Sequence, residues 1–529
     1  MFAGVRAVAL AAVATVTLAV AAHAADPLRV KTDKGEIEGK LSDDGQVKIF
    51  LGVPFAAPPV GPLRWRPPQP AERWKGVLTT QSFGPHCMQV NAFQDMVFHD
   101  PGASEDCLTL NVWAPKDAAE GAKLPVMVWI YGGGFYAGGT SERRQDGEAF
   151  ARKGVVLVSM NYRLNIFGFF AHPALAAESP QHAAGNYGLM DQAAALQWVK
   201  QNIAAFGGDP GNITLFGESA GSFSVSAQMA SPMAKDTLAH AIGESGAAFS
   251  RTGLMFPSLQ VAEAKGEAFA RDVLGKSSLA ELRGIPAEQL VKTLEAQKGP
   301  QAVRFGPDVD GVFLPESVPE IYAAGRQAHI PLLAGWNRDE GGPPRADVTL
   351  ESYRKAAQSL WGPNADEYLK VYGATTDAEA QRSAADLARD RFIAASTWEW
   401  IEAQVKTGDA PVYRFRFDRP SPGDRYHPAS AGVFHSSEIE YVFGNLSVRP
   451  AAPWKEEDYK LSEMMQSYWV NFARTGNPNG PGLPEWPPYD EADHWEVMHL
   501  DVTPVAEPDT QRDRYLFLRT ATPVESSPR

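Results

Sequence analysis

The sequence predicts an α/β fold in which a large, mostly parallel central sheet is flanked by helices. Three observations predict it. "LPVMVWI" (Leu124 to Ile130) and "GVVLVSM" (Gly154 to Met160) are near-continuous apolar runs, the pattern of parallel strands buried on both faces. In "DQAAALQWVKQNIAAFGG", Leu196, Val199, Ile203 and Phe206 recur at spacings of 3, 4 and 3, one face of a helix that Gly207-Gly208 ends. The segment that follows runs strand, glycine-rich turn, helix, the order of a β/α crossover.

Along the chain, "MFAGVRAVALAAVATVTLAVAAHAAD" carries one arginine, Arg6, then an apolar run, then the small-residue site Ala22-His23-Ala24. Residues 1–24 read as a cleaved secretory signal peptide. The rival is a transmembrane anchor, for which the run from Ala7 to Ala22 is short and rich in alanine. The expectation is an exported protein, periplasmic or secreted, with residues 25–529 forming a single large domain and no integral membrane association. The formal charge of −14 and the lack of any basic stripe argue against nucleic acid as a partner. Proline-rich "GVPFAAPPVGPLRWRPPQP" reads as an extended wrap, not a linker. The two cysteines, Cys87 and Cys107, are close in sequence and even in number, which in an exported chain reads as one disulfide. Two free thiols are the alternative; a metal site would need more ligands than the neighbouring His86 and His99. "HIPLLAG" (His329 to Gly335) is a further buried strand, and "VYRFRFD" (Val412 to Asp418) alternates as a strand nearer an edge would.

The stretch "FGGDPGNITLFGESAG" contains Gly217-Glu218-Ser219-Ala220-Gly221, a G-x-S-x-G pattern. With 47 glycines in the chain a chance match is not rare, so context decides. β-prone Ile213 to Phe216 precedes it, helix-compatible "AGSFSVSAQMA" follows, and small residues flank Ser219, as a sharp, strained strand-to-helix turn requires. Ser219 is the candidate nucleophile; an ordinary glycine-rich turn is the alternative.

The chain resembles the type-B carboxylesterase/cholinesterase family of α/β-hydrolases. "GVPFAAPPVGPLRWRPP", "EDCLTLNVWAP", "YGGGF", "NYRLNIFGF", "FGGDPGNITLFGESAG", "PDVDGVFLP" and "NFARTGNPN" carry the resemblance across nearly the whole chain after the signal peptide. It implies a Ser-Glu-His order along the chain. The acid falls at Glu340 in "AGWNRDEGG", with Asp339 its rival, and the base at His435 in "GVFHSSEIEYVFG". His427 is left at the rim, and His494 and His499 are set aside. The same resemblance places oxyanion donors at Gly133, Gly134 and Ala220, buried ion pairs at Arg64–Glu105 and Arg163–Asp191, and an electrostatic role at Glu218. The implied activity is hydrolysis of a small-molecule carboxylic ester through an acyl-enzyme, with no metal or organic cofactor. A related acyl bond (amide, carbamate, thioester or complex polyester) is the alternative. A non-catalytic adhesion relative is the other, against which the intact Ser219, Glu340 and His435 argue.

Two departures separate the chain from true cholinesterases. The segment between the cysteines has no tryptophan, only Phe93 and Phe98, and the acid is followed by Gly341-Gly342-Pro343-Pro344 where choline binders carry aromatics. The pattern is closer to bacterial para-nitrobenzyl-esterase-like members, with an open pocket for varied esters. The sequence carries no signature of an oligomeric state.

Overall fold

The computed structural model describes residues 28–251, 254–297, 299, 302–521 and 523; the expected signal peptide, residues 1–24, lies outside them. An 11-stranded sheet organises the fold. Numbered along the chain, its strands are β1 (Lys40–Leu41), β2 (Val47–Pro54), β3 (Thr109–Pro115), β4 (Leu124–Ile130), β5 (Val156–Met160), β6 (Gly208–Glu218), β7 (His240–Glu244), β8 (Leu332–Asn337), β9 (Val412–Phe417), β10 (Glu496–Leu500) and β11 (Val505–Pro508). Across the sheet they lie in the order β11-β10-β9-β8-β7-β6-β4-β5-β3-β2-β1. Every neighbouring pair from β10 to β5 is parallel, and the flanks are antiparallel. The sheet is mostly parallel, as the apolar runs predict, and it agrees with the α/β-hydrolase fold that the family resemblance implies. Val126, Val128, Leu157 and Val158 are fully buried, because helices cover both faces and leave no wet side.

The helix Tyr187–Asn202 tightens into the turn Ile203–Phe206, and the apolar stripe predicted there is buried throughout. The proline-rich wrap is anchored by Trp65, whose buried indole N–H donates to the Ile166 carbonyl at 2.7 Å. One expectation changes. β9 alternates in sequence yet is buried on both faces, between β8 and β10. Its Arg414 is 2% exposed, lies 4.3 Å over the Trp336 ring and pairs with Asp509. A polar position that finds its partners inside the protein looks solvent-facing in sequence.

The topology fixes where a site can form. From β4 the chain moves outward to β5, then returns to lay β6 on the other side of β4, so the strand order reverses between β4 and β6. Crevices at the carboxyl ends of strands at such a reversal are where α/β sheets bind ligands. The register aligns Ile130, Gly217, Gly243 and Ala334 across β4, β6, β7 and β8. The loops that leave these four strands therefore emerge side by side. A second, smaller core of Tyr353, Trp361, Tyr368, Tyr372 and Phe517 lies among the helices Leu350–Trp361, Ala365–Val371 and Arg512–Thr520.

Candidate active site

Ser219 stands between β6 and the helix Ala220–Ala230 with φ 54° and ψ −123°. A non-glycine residue there is strained, and it persists because its neighbours hold it. The Ser219 N–H donates to the Glu244 carbonyl at 2.9 Å, and its own carbonyl accepts from Phe223 at 2.9 Å. Only glycine fits at 221, where a Cβ would lie 2.0 Å from the Ile130 carbonyl oxygen. The G-x-S-x-G spacing thus answers to the tight approach of β4 and the helix, and it turns Ser219 toward the cavity.

The structure brings Ser219, His435 and Glu340 together. His435 Nε2 lies 2.9 Å from Ser219 Oγ, and Nδ1 lies 2.5 Å from Glu340 Oε2. The other carboxylate oxygen of Glu340 accepts from the Asn337 amide at 2.8 Å and from the Ser245 hydroxyl at 2.5 Å. Asp339, the rival acid, points elsewhere. Its carboxylate accepts from the Val433 amide at 3.0 Å and pairs with Arg382 at 2.8 Å, and its N–H donates to the Val433 carbonyl at 2.9 Å. It clamps the loop that carries His435, as does Asn337 Nδ2, which donates to the Phe434 carbonyl at 2.9 Å.

Glu218, the residue before the serine, is 3% exposed, and its Oε1 lies 3.2 Å from His435 Nε2. Burial disfavours the imidazolium, but the carboxylates of Glu218 and then Glu340 outweigh it and hold His435 above the ordinary histidine value. Burial likewise pushes the Glu218 carboxyl up, against the pull of His435.

The loop after β4 packs against the serine: a Cβ on Gly132 would lie 2.9 Å from Ser219 Cβ. Among the described residues the amides of Gly133, Gly134 and Ala220 have no protein acceptor, and Ala220 opens its helix, where an N–H has no intrahelical partner. Gly133 and Gly134 line the same cavity as Ser219, and Ala220 follows it directly in the chain. Cys87 and Cys107 are joined by a disulfide, which ties down the segment that brings Phe93, Asp95 and Met96 to the cavity. Phe98 instead stacks on His86 at 4.4 Å. Both expected ion pairs form: Arg163 meets Asp191 at 2.7 Å with both side chains buried, whereas buried Arg64 meets a half-buried Glu105 at 2.5 Å.

These groups open into a cavity of about 1260 Å³. His427 sits on its wall, stacked on Phe434 at 4.1 Å. Two features were not foreseen from the sequence. Ser245 follows β7, whose short sequence "HAIGE" gives little strand signal. Phe392, 48% exposed, lies edge-on to the His435 ring at 5.2 Å. It is carried by a π-helical turn, Asp390–Ala394, that interrupts two helices. Such turns cluster at functional sites. This one is held by the buried pair Arg389–Asp390 at 2.6 Å and by the Tyr372 hydroxyl, which donates to Asp390 at 2.7 Å.

Comparison with known proteins gives one family. The profile of the carboxylesterase family matches residues 26–518. Fumonisin B1 esterase of Sphingopyxis macrogoltabida is 38% identical, over 89% of this chain and 86% of its own length. Liver carboxylesterase of Sus scrofa is 37% identical, over 89% of each chain. A solved structure of PNB esterase superposes with a TM-score of 0.77 at 36% identity, covering 93% of this chain and 100% of that one.

Proposed function

The chain belongs to the carboxylesterase family and is a carboxylic ester hydrolase; from that premise we propose that Ser219 is its nucleophile, His435 its general base and acid, Glu340 the orienting acid, and the amides of Gly133, Gly134 and Ala220 its oxyanion hole. The observation that carries this reading is the continuous hydrogen-bonded line Ser219 Oγ, His435 Nε2, His435 Nδ1, Glu340 Oε2 at 2.9 and 2.5 Å.

Each step follows from that line. A serine hydroxyl attacks only as its proton leaves, and His435 Nε2 accepts it because Nδ1–H donates to Glu340, which fixes the tautomer. Ser219 Oγ then bonds to the ester carbonyl carbon, and the carbonyl oxygen takes up negative charge. Three preorganised amides meet it, each of them worth on the order of 3 kcal/mol. His435 returns its proton to the leaving alkoxide, and an acyl-enzyme remains. Water repeats the sequence and releases the acid. Ser245 and Asn337 occupy the far oxygen of Glu340, so its rotation away from His435 would break two hydrogen bonds.

The large cavity suits esters with bulky acyl or alcohol groups. Among the described residues its wall holds no tryptophan to receive a quaternary ammonium. Ser219→Ala tests the reading. Steady-state kcat on a neutral aryl ester should fall by several orders of magnitude, as when an assisted nucleophile is removed, while circular dichroism and melting stay as in the parent. Activity above a few per cent of the parent would reject Ser219 as the nucleophile.

A further inference from the structure

Charges around the cavity are unevenly matched. Each carboxylate on its wall faces a cation or the histidine: Asp95 lies 3.7 Å from Arg144, Asp339 2.8 Å from Arg382, and Glu218 and Glu340 lie 3.2 and 2.5 Å from His435. Lys265 and Arg304, on the same wall, face no carboxylate among the described residues. The Lys265 ammonium donates to the Arg304 carbonyl and lies 5.6 Å from the centre of the Phe305 ring. The Arg304 guanidinium lies 4.3 Å over Tyr136. Tyr136 in turn packs on the proposed oxyanion loop, where a Cβ on Gly134 would lie 2.4 Å from its ring. The contacts Gly134–Tyr136–Arg304 therefore hold a cation one aromatic ring beyond the reacting centre. In a chain of formal charge −14 this is not a surplus of surface lysine and arginine.

We propose that Lys265 and Arg304 form an anion-recognising subsite in the outer part of the cavity, and that the favoured substrates are esters bearing a carboxylate several bonds from the scissile carbonyl. The proposal rests on the esterase reading of the same site and deepens it to a substrate class. The carboxylate must be remote, because Glu218 and Glu340 repel an anion beside Ser219. Arginine suits the task. One face of its planar guanidinium stays on Tyr136 while its edge donates two parallel N–H bonds to a carboxylate. Both cations are exposed, so solvent and salt screen them, and the discrimination is moderate and falls as ionic strength rises.

Two matched ester pairs test it at low and at high salt. On the acyl side, the 4-nitrophenyl half-ester of octanedioic acid is compared with its terminal carboxamide. On the alcohol side, 6-acetoxyhexanoate is compared with 6-acetoxyhexanamide. Within each pair the scissile bond is the same, so the ratio of kcat/KM values reads recognition of the anion alone. The ratio should favour the carboxylate by about fivefold or more in at least one pair at low salt, and shrink at high salt. It should fall to near unity in the double variant Lys265→Gln/Arg304→Gln and recover in part in Lys265→Gln/Arg304→Lys, which restores one charge. A ratio near or below unity in both pairs, or one that the double variant leaves in place, overturns the proposal. Hydrolysis of the neutral members stands apart as the test of the esterase reading, and an enzyme that cleaves no member of either pair contradicts both.

Discussion

Glu218 Oε1 lies 3.2 Å from His435 Nε2, the nitrogen that also lies 2.9 Å from Ser219 Oγ. A carboxylate at that distance stabilises the imidazolium, the form that cannot take the serine proton. For a neutral ester, kcat/KM should therefore rise with pH through an apparent pKa above the ordinary histidine value of ~6.5. Glu218→Gln keeps the shape and removes the charge, so the rising limb should move to lower pH by about one unit. An unmoved limb, or one displaced to higher pH, would show that Glu218 does not act on the imidazole.

The Ser245 hydroxyl holds Glu340 on the side away from His435 at 2.5 Å. Hydrogen bonds to a charged acceptor are worth about 1.5–3 kcal/mol, so Ser245→Ala should lower kcat by roughly 10- to 100-fold if Glu340 loses its orientation. KM should change little, because Ser245 is not on the cavity wall. Ser245→Thr, which keeps the hydroxyl, should recover part of the loss. Equal kcat in Ser245→Ala and the parent would leave the Asn337 amide as sufficient support.

Choline esters should not be preferred substrates. Of the two phenylalanines between the cysteines only Phe93 reaches the cavity, where it stacks on Tyr136 at 5.7 Å. Pro343, three residues after Glu340, lines the cavity. A desolvated cation–π contact is worth about 2 kcal/mol, more than tenfold in kcat/KM if it persists in the transition state. Butyrylcholine and its uncharged isostere 3,3-dimethylbutyl butyrate give the comparison with matched leaving groups. The neutral ester should react at least as fast. A tenfold preference for butyrylcholine would mean that other rings on the wall, such as Phe93 or Phe392, rebuild a cation site.

What the sequence made legible follows from the range of the forces involved. β4 and β5 were readable because a strand buried on both faces tends to a near-continuous apolar run, broken in β5 by Ser159 alone, which accepts from Asn111. The turn that holds Ser219 was readable because the strand before it and the helix after it are both local. Glu340 and His435, 95 residues apart, came from motif resemblance and not from local pattern. β7 was missed, since five residues ending in histidine and glutamate become a strand only through pairing with β6 and β8. The edge-like alternation of β9 was misread, because Arg414 finds Asp509 and Trp336 inside the protein. Phe392, Lys265 and Arg304 reach one cavity from separate segments, a convergence that no local window contains.

Ser219 as the attacking atom is tested most directly by treating the enzyme with a fluorophosphonate and locating the adduct by peptide mass spectrometry. Such a reagent phosphonylates a serine whose proton is taken by a neighbouring base, and here His435 Nε2 lies 2.9 Å from one hydroxyl, that of Ser219. The expected result is one adduct per chain, on the peptide that contains Ser219, with activity lost in proportion to labelling. Complete inactivation with Ser219 unmodified and the adduct on another residue, such as Ser222 or Ser245, would contradict it.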